Sequence, residues 1–345
     1  MSERASYSLL SITAIPSPVF LAPAARSRQP NGIVEPTGRE EGIAVMGQDL
    51  DIRPLGETLG AEVLGCDLDT IDAQGLAELG RALQSHGVIV LRNQKIAPAS
   101  QVRLAESLGP IEIPVVSEYL LPAQSEILVL SNIVRNGRPI GARDAGQWWH
   151  VDMSYQVPPS RCTLLHAIQI PVDQQGRSLG DTLFASAAAA YDALPEADKA
   201  RLSRLLAVHS HGWRYAQVVK ESGGARRELS EDERRRNPDV LHPVVRPHPA
   251  TGRPCLYVNE GYTARIDGMS EADSAALLQR LFDHITQPRF LYRHNWRPDD
   301  LVIWDNCLVQ HRATGGYDPS QPRLMHRICV RDQASAAGAA GAALH

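Results

Sequence analysis

Seven short runs rich in branched aliphatic residues, at positions 88–91, 127–130, 162–170, 241–245, 255–258, 301–304 and 328–330, are bounded by turn formers and spread over most of the chain. Runs this short cannot build a core singly, so they read as strands that share one. Helical periodicity falls before and between them. Positions 71–85 set Leu76, Leu79 and Leu83 on one face, and 101–108 and the Ala-rich 186–194 follow. Positions 271–285 carry Leu277, Leu278, Leu281, Phe282 and Ile285 behind Ser270 and Asp273, which approximate a capping box. The pattern predicts a mainly β fold with helices packed outside it.

A chain of 345 residues with 43% apolar residues has ample material for such a core, which excludes wholesale disorder. A charged fraction of 21% and a net charge of -4 give no basic surface for nucleic acid or anionic lipid. No stretch approaches the roughly 18 uninterrupted apolar residues of a membrane span. The cysteines Cys66, Cys162, Cys255, Cys307 and Cys329 form no Cys-x-x-Cys pair and fit a reducing, cytoplasmic setting. Residues 1–48, with five prolines and no sustained period, read as a flexible N-terminal extension with Met46 as an alternative start. Residues 49–332 read as one domain, and 333–345 as a frayed Ala/Gly tail. The polar stretch 220–239 is a solvated loop or a lid.

Chemistry concentrates in two segments. In Gln147-Trp148-Trp149-His150-Val151-Asp152, an imidazole and a carboxylate two residues apart would share a face on a strand edge and could hold a divalent metal. A His-x-acid match is expected about once by chance in such a composition, so the pair needs a third ligand. His311, at the end of a strand-like run from Asp300, supplies it. Two His and one carboxylate leave open positions that suit Fe(II), and equally suit catalytic zinc with a bound water. Downstream, Arg323 and Arg327 are spaced to share a strand face, where a guanidinium can clamp a carboxylate through paired hydrogen bonds.

This arrangement of His150-x-Asp152, His311 and Arg323 resembles the taurine/2,4-dichlorophenoxyacetate dioxygenase family of Fe(II)- and 2-oxoglutarate-dependent oxygenases. Further segments similar to that family run in order through residues 50–332: Pro54-Leu55-Gly56, the run from His86 to Arg92, Gly180-Asp181-Thr182, Val258-Asn259-Glu260-Gly261 and Trp304-Asp305-Asn306. The resemblance implies a double-stranded β-helix, a cupin-like jelly-roll core. It implies His150, Asp152 and His311 as the iron ligands and as the catalytic centre. Arg323 and Thr182 would hold the distal carboxylate of 2-oxoglutarate, O2 would be the second cosubstrate, and succinate and CO2 the products. Trp304 should lie close to the metal, and Arg327 should meet the anionic group of the prime substrate.

Where the taurine enzyme is expected to present polar side chains, this chain offers Ile113 and Val116, and Gly146 stands before the metal motif. Loss of such partners favours a substrate with an apolar body. The expected substrate is an anionic, rather apolar small molecule, a carboxylate, sulfonate or sulfate ester, hydroxylated with C–S or C–O cleavage where a heteroatom adjoins. Tyr262 and Trp213 are aromatic candidates for its wall. The remaining histidines read as structural. Homo-oligomerisation is left open by the residues. Two rivals share the metal site: a biosynthetic hydroxylase or desaturase on an amino-acid-like or natural-product substrate, and a non-oxidative zinc or cupin-type protein that needs no Arg323 or Thr182.

Overall fold

The computed structural model describes residues 50–113, 117–143, 146–223 and 226–332. The expectations for 1–48, 333–345 and Val116 lie outside the described residues. The predicted runs at 88–91, 127–130, 162–170, 301–304 and 328–330 become strands of one large sheet, whereas 241–245 is divided between Val240–Pro243 and Val245–Pro247 and, with Pro254–Leu256, falls in small separate sheets. The larger sheet runs Asp51–Pro54, Ala61–Leu64, Val88–Leu91, Leu301–Asp305, Ser160–Gln169, Leu324–Arg331, Gln124–Ser131 and Leu120–Leu121, with Ile111–Glu112 paired to the end of Leu324–Arg331. The smaller sheet is Leu291–His294, Thr182–Ser186 and Val309–Ala313. Together they form the double-stranded β-helix.

Leu301 and Ile303 point to one side of the large sheet, into a cluster with Leu79, Leu83 and Leu104 from the helices Ala73–His86 and Pro98–Leu108. Val302 and Trp304 point to the other side, against Phe184 and Val309 of the smaller sheet. Both faces of this strand are therefore dry, which is why it reads as a continuous apolar run rather than an alternating one. Each fully buried Leu or Ile contributes about 1.5–3 kcal/mol.

The first helix starts at Ala73 rather than at position 71 because Asp72 caps it, accepting the Gly75 N–H at 2.8 Å. It ends at Gly87, which delivers the chain directly into Val88–Leu91. The helix Glu271–Ile285 buries the expected Leu277, Leu278, Leu281 and Ile285 on the outer side of the smaller sheet, with Phe282 partly buried. Ser270 accepts the Asp273 N–H as expected, but the Asp273 carboxylate takes the Ser270 hydroxyl and not its backbone N–H, so the box is incomplete. Among the described residues no helix is long and apolar enough to cross a membrane.

A third small sheet, Val240–Pro243, Leu206–His209 and Thr263–Ile266, holds His209 and His242 against Tyr257. Burial, with Arg246 nearby, pushes His242 down to about 4; burial, with His166 nearby, does the same to His326. Burial also lowers His209. These imidazoles fold neutral, whereas in the unfolded chain they protonate below about 6.5. The unfolded state then binds more protons, so their contribution is complete above pH 6.5 and is lost as pH falls toward 4. Chemical denaturation of the metal-free protein is expected to show stability falling steadily from pH 6.5 to 4.5. A flat profile across that window would contradict the neutral burial.

Candidate active site

The strand Leu301–Asp305 ends where the chain changes sheets. Asp305 makes the change by accepting the N–H groups of Cys307 at 2.8 Å and Leu308 at 3.1 Å, while His248 Nε2 lies 2.9 Å from its other oxygen. The next strand, Val309–Ala313, belongs to the smaller sheet and carries His311. The expectation of one strand running from Asp300 to His311 is thus corrected: a side-chain-capped turn divides it.

His311 exchanges backbone hydrogen bonds with His150, N–H to O at 2.9 and 3.0 Å, so the two imidazoles are cross-strand neighbours with ring centroids 4.1 Å apart. Only His150 is paired. Asp152 opens a turn whose next residue, Met153, has φ 53°, so Asp152 shares the site through a turn and not through the expected strand alternation. Its N–H is taken by Asn306 Oδ1 at 3.3 Å. The result is a buried group in which one ligand atom from each of His150, Asp152 and His311 lies within 4.8 Å of the others. His150 Nε2 is 3.6 Å from Asp152 Oδ1, and His311 Nε2 is 3.7 Å from Oδ2.

The surroundings orient His150 and Asp152 by hydrogen bonds and His311 by packing alone, its Nδ1 being buried with no partner among the described residues. His150 donates Nδ1–H to the Trp148 carbonyl at 3.0 Å, leaving the Nε2 lone pair toward Asp152. His311 is held by packing, with the Trp304 ring at 4.6 Å and Phe184 at 6.0 Å. Its burial, reinforced by His150, keeps it neutral. Burial alone would raise the Asp152 carboxyl, but Arg327 at 3.2 Å together with both imidazoles holds it well below the usual carboxylate range. Gly146 has a structural reason independent of pocket polarity: its φ is 80°, and a Cβ there would lie 2.9 Å from the His150 ring.

Two residues that sequence reasoning passed over orient Asp152. Thr163 donates its hydroxyl to Asp152 Oδ2 at 2.8 Å, and Asn306 Nδ2 donates to Thr163 at 3.0 Å. Thr163 thereby holds one carboxylate oxygen in place while Arg327 meets the other. Thr163→Val is expected to weaken Fe(II) binding by about 10–100-fold without unfolding the protein, as outer-sphere losses do. Metal titration of the variant measures this, and an unchanged affinity would remove Thr163 from the site.

Arg323 precedes the strand Leu324–Arg331. Asn132 Oδ1 accepts its N–H at 2.8 Å and Ser131 donates to its carbonyl at 2.7 Å, while Asn132 Nδ2 also holds the carbonyls of Pro319 and Gln321. That side chain absorbs the turn containing Gly315, Gly316, Pro319 and Pro322. Among the described residues the Arg323 guanidinium makes one long hydrogen bond, 3.4 Å to the Gly180 carbonyl, and its Nε is buried with no partner. Gly180, at φ 77°, permits this approach, because a Cβ would sit 3.3 Å from that Nε and 2.9 Å from Tyr317. Thr182, almost fully buried, lies opposite Ala313, one two-residue step along the strand from the Phe184–His311 pair and on the same face.

Tyr262 stands 6.3 Å from the His150 ring and 4.7 Å from Tyr155. Burial pushes its phenol up to about 12. It also lines a cavity of about 430 Å³ with Gln147, Trp148, His211, Arg214 and Tyr215. The helix His211–Glu221 roofs this cavity, its Arg214 guanidinium 3.6 Å from the centroid of the Trp148 ring. His211, read from sequence as structural, is therefore a cavity residue. The polar stretch 220–239 is not wholly loop: it contains the short helix Glu231–Arg236, started by a complete capping box at Ser230 and Glu233. Trp213 is not among the lining residues of that cavity. Ile113 follows a two-residue strand and is 51% exposed.

Residues 51–329 match the family of taurine catabolism dioxygenases, TauD/TfdA. The chain belongs to this dioxygenase family. It is 33% identical to an alpha-ketoglutarate-dependent 2,4-dichlorophenoxyacetate dioxygenase of Cupriavidus pinatubonensis over 81% of this chain and 97% of that protein. It is 32% identical to pentalenolactone F synthase of Streptomyces arenae over 81% and 94%, and 31% identical to an alpha-ketoglutarate-dependent sulfate ester dioxygenase of Pseudomonas putida over 82% and 89%. Among solved structures, AAD-2 in complex with Mn(II) and N-oxalylglycine superposes with a TM-score of 0.70 at 30% identity, covering 83% of this chain and 98% of that one. A taurine dioxygenase from Burkholderia xenovorans, 24% identical, shares the fold with a TM-score of 0.67, covering 82% and 89%.

The dioxygenase is an oxidoreductase dependent on Fe(II), 2-oxoglutarate and O2. The residues present fit these groups. A buried two-imidazole, one-carboxylate set suits Fe(II), and the unpartnered Arg323 Nε, a buried cationic donor, suits a carboxylate.

Proposed function

We propose that this dioxygenase hydroxylates an anionic, largely apolar small molecule, with C–S or C–O cleavage where the hydroxylated carbon bears the heteroatom. In this reading His150, Asp152 and His311 hold the iron, Arg323 and Thr182 hold the distal carboxylate of 2-oxoglutarate, and Arg327 meets the anionic group of the substrate. Bound iron and 2-oxoglutarate supply O2 activation coupled to oxidative decarboxylation.

The observation that carries the reading is Arg327, a cation that is only 17% exposed and lies 3.2 Å from a metal-ligating carboxylate. A charge buried there is costly without an anion, and Asp152 turning to a metal leaves it able to take one from the substrate. The cavity lined by Tyr262 offers Trp148, Tyr215 and Val218 to an apolar body, beside the polar Gln147, His211 and Arg214. Arg327 would select the carbon presented for oxidation, since misplacement by about 1 Å can cost on the order of a hundredfold in rate. Ile113 and Val116 stay in the reading as substrate-facing residues on sequence grounds. Relatives named for 2,4-dichlorophenoxyacetate, phenoxypropionate and sulfate esters support the same class.

The similarity to pentalenolactone F synthase keeps one second reading, oxidation of a natural-product intermediate at the same iron site. All five cysteines are free thiols, which supports a reducing, cytoplasmic setting. The test is anaerobic addition of Fe(II) and then 2-oxoglutarate. A weak visible charge-transfer band that needs both is expected, and substrate-stimulated succinate formation then ranks aryloxyalkanoates, sulfonates, sulfate esters and natural-product carboxylates. Bound iron with no band would overturn the reading and favour a non-oxidative role.

A further inference from the structure

We infer that Trp296 is a positioning residue for the cosubstrate: its indole N–H fixes the Thr182 hydroxyl as a donor toward the 2-oxoglutarate carboxylate. The inference deepens the reading above and rests on the role given there to Thr182.

Trp296 is fully buried and belongs to the apolar cluster of Phe184 and Trp304 between the two sheets. Its Nε1 lies 3.0 Å from Thr182 Oγ1. An indole nitrogen only donates, so the hydroxyl oxygen must accept. A hydroxyl has one hydrogen, and among the described residues none of its hydrogen bonds spends it. Thr182 therefore presents a buried, unspent O–H, with a lone pair occupied on the side of Trp296. Since the O–H direction is set by rotation about the C–O bond, occupation of that lone pair turns the hydrogen away from the indole.

The indole is itself held in place. His294, the register partner of Thr182 across the small sheet, packs edge-on against Trp296 with ring centroids 4.5 Å apart. His294 Nε2 lies 3.1 Å from Asp300 Oδ2, which also accepts the Arg297 N–H at 2.8 Å and pairs with Arg92 at 2.5 Å. Asp300 thus ties down both ends of the short connection that carries Trp296, between the strands Leu291–His294 and Leu301–Asp305. Its backbone N–H also closes the loop, donating to the Arg297 carbonyl at 3.2 Å. Thr182 is one two-residue step, about 7 Å, along the strand from the His311 row. A dicarboxylate chelated at the metal by one end can meet the hydroxyl with the other.

The test reads cosubstrate affinity, not turnover. 2-Oxoglutarate is titrated without oxygen into the Fe(II)-loaded full chain, following the charge-transfer band, for wild type, Trp296→Phe, Thr182→Val and the double variant, with melting temperature recorded for each. Trp296→Phe keeps the ring and removes the N–H, so it is expected to raise the 2-oxoglutarate Kd about tenfold, the scale of one hydrogen bond. Thr182→Val is expected to lose at least as much. The double variant should bind no worse than Thr182→Val, because the indole acts only through the hydroxyl. Multiplying losses, or a Trp296→Phe Kd within twofold of wild type, would overturn the inference, since a packing role lowers stability without depending on Thr182. Should the phenylalanine variant not fold, Trp296→His retains a ring N–H. A Kd within about threefold of wild type is then expected, and a loss matching Thr182→Val overturns the inference. A wild-type protein with bound iron and no band would sink the parent reading as well; a normal wild-type band with an indifferent Trp296→Phe sinks only this one.

Discussion

Asp152→Ala is expected to abolish turnover and Fe(II) retention and, unusually for a ligand substitution, to destabilise the metal-free protein severely. The carboxylate does two jobs. It is the one anionic member of the triad, and it is the anion 3.2 Å from Arg327 Nη1 in a largely buried site. Removal of one partner from a buried pair leaves an uncompensated charge and costs about 3–5 kcal/mol. At about 2–4 °C per kcal/mol for a domain of this size, the melting temperature of the metal-free variant should fall by roughly 10 °C. Metal content, succinate formation and calorimetry measure the three effects. Asp152→Asn separates them: it keeps an acceptor for Thr163 and loses the charge, so iron and activity should go while part of the stability returns. An Asp152→Ala protein as stable as wild type would mean that Arg327 finds another anion when Asp152 is absent.

Arg323→Met should show the opposite balance. The guanidinium has one contact at 3.4 Å, a buried Nε with no partner, and a pKa lowered by burial. In the absence of cosubstrate this charge is a liability, so its replacement by an apolar side chain of similar length should leave the metal-free protein as stable as wild type or a few degrees more so. Cosubstrate binding should collapse. Two charge-assisted hydrogen bonds of about 1.5–3 kcal/mol each correspond to a loss on the order of 10²–10⁴ in 2-oxoglutarate affinity. Fe(II) binding should be untouched, since among the described residues Arg323 has no hydrogen bond or ion pair with the triad. Arg323→Lys should fall between, with the charge retained and the planar fork lost. Titration of the charge-transfer band and a thermal melt decide it. If Arg323→Met unfolds at lower temperature than wild type, the cation is satisfied in the free protein and is not reserved for an anion.

Short-range rules and motif spacing made much of this enzyme legible. The seven apolar runs became strands because each is short, branched and bounded by turn residues, and Asp72 and Ser270 set helix starts through contacts three residues away. His150, Asp152, His311 and Arg323 were visible as candidates because iron ligation and carboxylate clamping each demand particular side chains. Other features depended on residues far apart in the chain. The Thr163–Asp152 bond spans only 11 residues but needs the strand Ser160–Gln169 laid against the turn at Asp152, Asn132 pins Arg323 across 191 residues, and Trp296 meets Thr182 across 114. No local pattern distinguishes these from ordinary polar or core residues. The manner in which the ligands converge was equally hidden, because His150 and His311 are neighbours through one isolated bridge and Asp152 arrives through a turn. Sequence determined which groups are candidates for the chemistry, since that depends on side-chain identity. Only tertiary structure decided which neighbours aim them, because a hydrogen bond is made at about 3 Å in space, whatever the distance along the chain.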